Sequence, residues 1–156
     1  MNSPAVKVFA DERIAAGESC LVVDLGACTG MDSTFMGTLA GMASRLAALG
    51  SGTLHIAASS ERNRRSLEDL GLDFLMEINP PAALWRGHED RIRSGLKAPQ
   101  DPGALGQIQR ARHVLDAHRI LTGMNDKNSR DFEEVVTMLE NELAGKEKLA
   151  VKDHPQ

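Results

Sequence analysis

The sequence predicts an α/β domain followed by a helical hairpin, on three observations. Short apolar runs at residues 20–25, 53–58 and 71–78 alternate with segments in which apolar residues recur every three or four positions. Strands separated by helices of this length need crossover connections, which favours a parallel or mixed sheet flanked by helices. From residue 105 onward only helical periodicity remains, which indicates a helical extension.

The first helix and the first strand are the earliest elements of the chain. Ser3 can cap a helix that Gly17 ends, with Pro4 at its first position. Residues 20–25, Cys-Leu-Val-Val-Asp-Leu, form an apolar run without polar alternation, which is typical of a strand buried on both faces. We therefore expect a central strand there.

Two further helices are predicted between the three strands. The first runs from Thr34 to Leu49, because large apolar residues repeat along it at helical spacing. The second is capped by Ser59 or Ser60 and is closed by Gly71, which suits a left-handed position after a helix.

The second half of the chain divides into two parts. Residues 81–104 carry prolines and glycines without a period, so they read as a connector after a domain at 1–80, with a short helix around Trp85 as one option. Residues 105–156 form the extension, whose second helix is predicted to begin at a Ser129 cap and to end at Gly145. A hairpin of this size must pack on the domain, on a second copy or on a partner.

Composition excludes several classes of function. The net charge is −4 and aromatic residues make up 3% of the chain, which disfavours direct nucleic-acid binding. No apolar run approaches a membrane span or a secretion signal, and two isolated cysteines suit a reducing compartment, so we expect a cytoplasmic protein without membrane insertion.

No enzyme, cofactor or metal motif is present in the sequence. The phosphate-binding, dinucleotide-binding and nucleophile-elbow patterns are all missing. His113 and His118 are five apart, which points them to diverging faces of one helix, so His118 is expected to pack or bond locally. We therefore expect a protein that is not an enzyme and that carries no cofactor or metal.

The polar triplet Asp32, Ser33 and Thr34 is the candidate site, because it follows a strand and a loop and opens a helix. One interpretation is that Ser33 or Thr34 only caps the helix, and Asp32 could also do so. The other is that the Ser33 hydroxyl is phosphorylated, which adds bulk and nearly two negative charges without unfolding a helix start. A partner would then bind only one of the two forms.

A stripe of small residues lies on the helix that follows, formed by Gly37, Gly41, Ser44 and Ala48. It lets another backbone approach closely. Either the stripe packs on the sheet, or a partner helix docks on it beside Ser33.

These residues resemble the STAS family, and in particular its anti-sigma-factor antagonists. The resemblance covers about residues 4–80 and rests on Val22 to Leu25, Asp32 to Thr34, Gly37 and Gly71 to Asp73, in that order and spacing. It implies that Ser33 is phosphorylated by an anti-sigma factor with serine kinase activity, and that the dephosphorylated form binds that kinase. A phosphatase of the PP2C type would reverse the modification, and Asp32, Thr34, Phe35, Gly37 and Gly41 would contact the partner.

Two features depart from the family. Phe35 stands where the family usually has glycine, so the helix start is bulkier and more apolar. A helix at Ser3 replaces the strands with which the family begins, so the sheet would have an exposed edge that favours a homodimer. The alternatives are a scaffold protein that forms homo-oligomers and a ligand-sensing or transport-complex subunit.

Overall fold

The structure, a computed structural model, describes residues 3–97 and 105–152. Part of the predicted connector, residues 98–104, lies outside the described residues, as do residues 153–156 of the predicted extension. The described elements are, in order, α1 (Ser3–Ala15), β1 (Cys20–Asp24), α2 (Ser33–Ala47), β2 (Thr53–Ala57), α3 (Glu61–Asp69), β3 (Glu77–Ile78), α4 (Glu89–Gly95), α5 (Gln107–Thr122) and α6 (Asp126–Lys152).

The described strands form one parallel sheet in the order β1-β2-β3. Leu21 pairs with Leu54 and Val23 with Ile56, and the two β2 residues are buried beneath the helices. The crossovers run through α2 and α3, which connect neighbouring parallel strands. The prediction of an α/β fold with a C-terminal helical hairpin is confirmed, with a parallel sheet.

Strand β1 lies at the edge of this sheet, so the prediction of a central strand is wrong within the described residues. It pairs only with β2, and its residues alternate between exposed and half-buried. Val22 is 43% exposed. The apolar run suggested burial on both faces, but an edge strand also keeps β-branched residues for their fit to a pleated surface.

Residues 79–97 contact the second face of the sheet through Trp85 and Arg93. The indole N–H of Trp85 donates to His55 Nδ1 at 3.0 Å, and Arg93 donates to both carboxylate oxygens of Asp24, at 2.5 and 3.2 Å. The hydrogen bond from Arg93 holds the pKa of Asp24 below its usual range. Trp85 lies in a turn, and the helix of this segment, α4, begins four residues later, at Glu89.

Two predicted elements have different bounds in the structure. Only Glu77 and Ile78 of the predicted strand 71–78 pair with β2, because the chain first turns to bury Leu72 and Met76 in the core. Helix α6 begins at Asp126 rather than after Ser129, and Asn125 Oδ1 accepts the Asn128 N–H at 2.8 Å.

Helix α6 also continues through Gly145 to Lys152, so the predicted end at Gly145 is wrong. A single interior glycine costs about 1 kcal/mol, which a helix this long tolerates. Helix α2 ends at Ala47, two residues before the predicted Leu49, whereas the predicted signals that bound α1 and α3 are found. Ser60 caps α3 by accepting the Asn63 N–H at 3.2 Å, and Gly17 and Gly71 have φ of 93° and 66° after their helices.

Helices α5 and α6 form the predicted hairpin, which packs on the α/β domain of the same chain. Helix α5 lies against α2, and α6 lies against α5. Leu121 is completely buried and joins the main core. At the turn of the hairpin, Asn125 and Asn128 donate to the Leu70 carbonyl at the end of α3, at 3.2 and 2.8 Å.

Candidate functional site at the start of helix α2

Asp32 is the N-cap of α2, which decides between the predicted capping residues. Its backbone is extended, with φ −92° and ψ 167°, and its Oδ1 accepts the Phe35 N–H at 2.7 Å. Ser33 is therefore the first helical residue rather than the cap. Its hydroxyl is free to serve another contact.

That contact is His118 on α5. Ser33 Oγ lies 2.9 Å from His118 Nε2, and His118 Nδ1 lies 2.8 Å from the Val114 carbonyl oxygen. A carbonyl can only accept, so Nδ1 carries the ring proton. In the neutral ring Nε2 then accepts, and the Ser33 hydroxyl donates to it.

The surroundings of His118 fix this orientation. The side chain is 5% exposed, and its ring makes an edge contact with Phe132 of α6, with 5.6 Å between centroids and 70° between planes. The imidazole is thus contacted by Ser33 of α2 and Val114 of α5 at its two nitrogens, and by the Phe132 ring of α6. The contacts of His118 with Val114 and Phe132 therefore hold the imidazole in position to accept the hydrogen bond from Ser33.

The other residues predicted to contact a partner lie in two environments. Asp32 is exposed and Thr34 is half-buried, whereas Phe35 is 3% exposed and belongs to the main core. Gly37 and Gly41 are buried as well. Partner contact at these five residues stays a prediction, but only Asp32 and Thr34 have surface that a second molecule reaches with α5 in place.

Helix α5 covers Gly37 and Gly41 of the small-residue stripe, whereas Ser44 and Ala48 are exposed. A Cβ atom on Gly37 would overlap the Ala117 carbonyl oxygen and lie 2.8 Å from its carbon, and one on Gly41 would lie 2.8 Å from Ile120 Cδ1. Such an approach to a backbone carbonyl leaves room for glycine alone. The helix that packs on these two glycines therefore belongs to the same chain, and docking of a partner helix there stays a prediction.

A second histidine of α5 reaches α1 and α2. His113 Nε2 lies 3.0 Å from Ser3 Oγ and 3.4 Å from Thr38 Oγ1, whose proton goes to the Thr34 carbonyl at 2.8 Å. Burial, followed by the positive charge of Lys7, lowers the pKa of His113 from its ordinary value of 6.5.

Sequence reasoning missed both histidines as site residues. Their hydroxyl partners lie 85 and 110 positions away along the chain, so no local motif joins them. One signal was present for His118. It stands three residues from both Leu115 and Leu121, and therefore on the buried face of α5.

Within residues 3–97 and 105–152, no group of three His, Cys, Asp or Glu side chains is placed to hold a metal ion. In the same part of the chain, no helix combines the length and apolar character that a bilayer crossing needs.

Comparison with protein families matches residues 1–83 to the model of the STAS domain. No curated protein and no solved structure matches the chain. The matched residues contain α1, the sheet, α2 and α3, whereas α4, α5 and α6 follow them in the chain.

Proposed function

Since the chain belongs to the STAS domain family, we propose that it is a regulatory protein-binding module of the anti-sigma-factor-antagonist type, switched by phosphorylation of Ser33. STAS domains occur in anti-sigma antagonists and also in transporters. The observation that carries the proposal is the position of Ser33. It opens α2, it is half-buried, and its hydroxyl is free of the capping role.

Phosphorylation would change two properties of this position. It replaces the hydroxyl proton, so His118 Nε2 loses its donor, and it adds nearly two negative charges beside the Asp32 carboxylate. The start of a helix favours an anion, so α2 itself tolerates the phosphate. The added charge and bulk therefore alter the surface around Ser33, which a partner must desolvate to bind.

The proposed partner is an anti-sigma factor with serine kinase activity, which binds the dephosphorylated form. A phosphatase of the PP2C type would restore that form. Exposed Asp32 and half-buried Thr34 would supply polar contacts beside Ser33. In this role the protein changes gene expression through its partner, without contacting nucleic acid and without catalysis.

The test is affinity purification from the native cell with wild-type, Ser33→Ala and Ser33→Asp baits. Mass spectrometry identifies bound proteins and the Ser33 phosphopeptide. Ser51→Asp is the matched control, because Ser51 is exposed just beyond the other end of α2. We expect a kinase-like partner on wild type, Ser33→Ala and Ser51→Asp, and its loss from Ser33→Asp. Identical partners on all four baits, with Ser33 unmodified, would refute the switch.

A second candidate, a homo-oligomeric scaffold, is favoured by the outer edge of β1, which no strand among residues 3–97 and 105–152 pairs with. Ser19 and Leu25 bond to β2, so alternation along a parallel strand turns the backbone groups of Cys20, Val22 and Asp24 outward. A groove of about 470 Å³ runs along this edge and is lined mainly by apolar residues, among them Phe9, Val22 and Leu96.

An antiparallel second copy centred on Val22 would pair all three outward residues of each strand. Light scattering after size exclusion measures the mass. A dimer that Val22→Lys dissociates and Ser51→Asp leaves intact would support the scaffold. A monomeric wild type at every concentration tested would eliminate this candidate.

A further inference from the structure

Helix α5 packs on α2 as a binding partner would. It brings the Ala117 carbonyl against Gly37, an aliphatic side chain against Gly41 and a hydrogen-bond acceptor to Ser33. These are three different kinds of complementarity, and together they cover the helix face that starts at the candidate phosphorylation site. The surface is thus shaped for a helix and already holds one.

The hairpin is an addition to the STAS unit. Residues 1–83 match the family, and α5 begins at Gln107. Most of the main core lies within the matched residues, where Leu39, Ile56, Leu67 and Leu72 are all fully buried, and Leu121 of α5 joins it.

The attachment of the hairpin is partly polar. Helix α6 packs chiefly on α5, and α5 packs on α2 as well as on α6. His113 and His118 bind hydroxyl groups of α1 and α2, and Asn125 and Asn128 bind the Leu70 carbonyl. Leu121 belongs to the main core, and Ile120, Met124 and Phe132 pack against it. A helical hairpin is nevertheless the kind of contiguous supersecondary unit that can open without global unfolding.

We propose that α5 occupies the docking surface of α2 in place of a partner's helix, and that the partner binds by displacing the α5–α6 hairpin. This inference rests on the proposed function. The structure of α5 describes the helix that fits: a small residue opposite Gly37, an aliphatic side chain at Gly41 and an acceptor for the Ser33 hydroxyl. His118 keeps the hairpin closed through its hydrogen bond and its contact with Phe132. Phosphorylation of Ser33 breaks that hydrogen bond too, but it also denies the partner the hydroxyl donor that its acceptor needs, so the partner binds only the dephosphorylated form.

The test measures thiol labelling in the full chain, with Cys20 and Cys28 replaced by serine. Thr38→Cys reports on the face beneath α5, because Thr38 contacts His113. Ala43→Cys reports on the core side of α2, where Ala43 is buried. His118→Ala loosens the hairpin, and His88→Ala, at an exposed turn, is its control.

We expect the thiol of Thr38→Cys to react faster than that of Ala43→Cys, because opening of the hairpin uncovers only the first position. His118→Ala should speed labelling of Thr38→Cys by about tenfold and leave Ala43→Cys unchanged, while His88→Ala changes neither. Equal rates at the two positions in every background would mean that the hairpin leaves only when the whole chain unfolds, and would overturn the proposal.

Hydrogen exchange on the unmodified chain gives the same answer without introduced thiols. Amides of α5 should exchange faster than those in the middle of α2, and equal protection of the two helices would contradict the proposal.

Binding is tested separately with the partner captured by the Ser33 baits. His118→Ala should bind it about tenfold more tightly than wild type, because less free energy is spent on displacement. Equal affinity of His118→Ala and wild type for the partner would show that the partner does not compete with the hairpin, even if the hairpin opens. If no partner depends on Ser33 but Thr38→Cys is still labelled selectively, the proposed function is rejected. The hairpin would then open without serving as the competitor of a partner.

Discussion

One carboxylate determines the role of the neighbouring serine. Asp32 accepts the backbone N–H that a capping serine would otherwise take, so the Ser33 hydroxyl turns to His118. The sequence predicted that this triplet opens a helix, and it left the capping residue open among three. The contact that Ser33 makes instead could not be read from the triplet, because the imidazole comes from the distant α5.

A second imidazole, that of His113, makes stability depend on pH. Its pKa in the folded chain lies below 6.5, since burial and Lys7 disfavour the imidazolium. Below that value the unfolded chain takes up a proton that the folded chain does not, so the free energy of unfolding should fall as the pH falls. We expect this decline between about pH 7 and pH 5 in urea denaturation.

His113→Gln should flatten the pH dependence, because glutamine keeps polar atoms near Ser3 and Thr38 and does not titrate. His88→Gln is the control at an exposed position and should leave the slope unchanged. A wild-type slope that persists in His113→Gln would show that another group is responsible.

Helix α2 packs on two different layers with two different faces. Its large residues, such as Leu39 and Leu46, are buried in the main core, and its glycines face α5. Both faces were visible in the sequence as stripes of helical period. The sequence did not show which element packs on the glycine face, because helical periodicity identifies a face of the helix but not its neighbour.

Alanine substitutions in α2 should separate backbone from side-chain contact. Gly37→Ala places its Cβ against the Ala117 carbonyl, so we expect a loss of about 1–3 kcal/mol in the free energy of unfolding. Gly41→Ala meets the end of the Ile120 side chain, which can rotate away, and alanine favours the helix by about 1 kcal/mol. Urea denaturation should therefore show a large loss for the first variant and little change for the second. Comparable losses for both would mean that Ile120 is as rigid as the α5 backbone.

The elements whose bounds were predicted best are those with local signals. Gly17, Ser60 and Gly71 act through their own backbone and the next few residues, and each is found where the sequence placed it. Strand β3 is shorter than predicted because the chain before it turns to bury Leu72. Helix α6 begins earlier than predicted because Asn125, rather than Ser129, caps it. The same limit applies to the candidate site: the sequence predicts that Asp32, Ser33 or Thr34 opens a helix, and it does not predict the contact of Ser33 with His118.

At the scale of the whole molecule, the chain joins a sheet domain to a hairpin of its two longest described helices. Trp85, the only tryptophan, bonds to His55 on the sheet and so reports on the domain. Far-ultraviolet circular dichroism reports on all helices, and therefore strongly on α5 and α6.

The two signals should diverge during urea unfolding. We expect circular dichroism to decline at lower urea than Trp85 fluorescence, because the hairpin detaches before the sheet unfolds. His118→Ala should widen the gap by moving the circular dichroism transition alone. Coincident transitions in both proteins would indicate a single cooperative unit.

The order of the elements along the chain also has a consequence in time. About 60 residues separate the end of α2 from the start of α5. At about 5–20 residues per second, a ribosome needs about 3–12 s to synthesise them. During each round of translation, the glycine face of α2 therefore exists before the helix that covers it, and a partner present at the ribosome meets that face without competition.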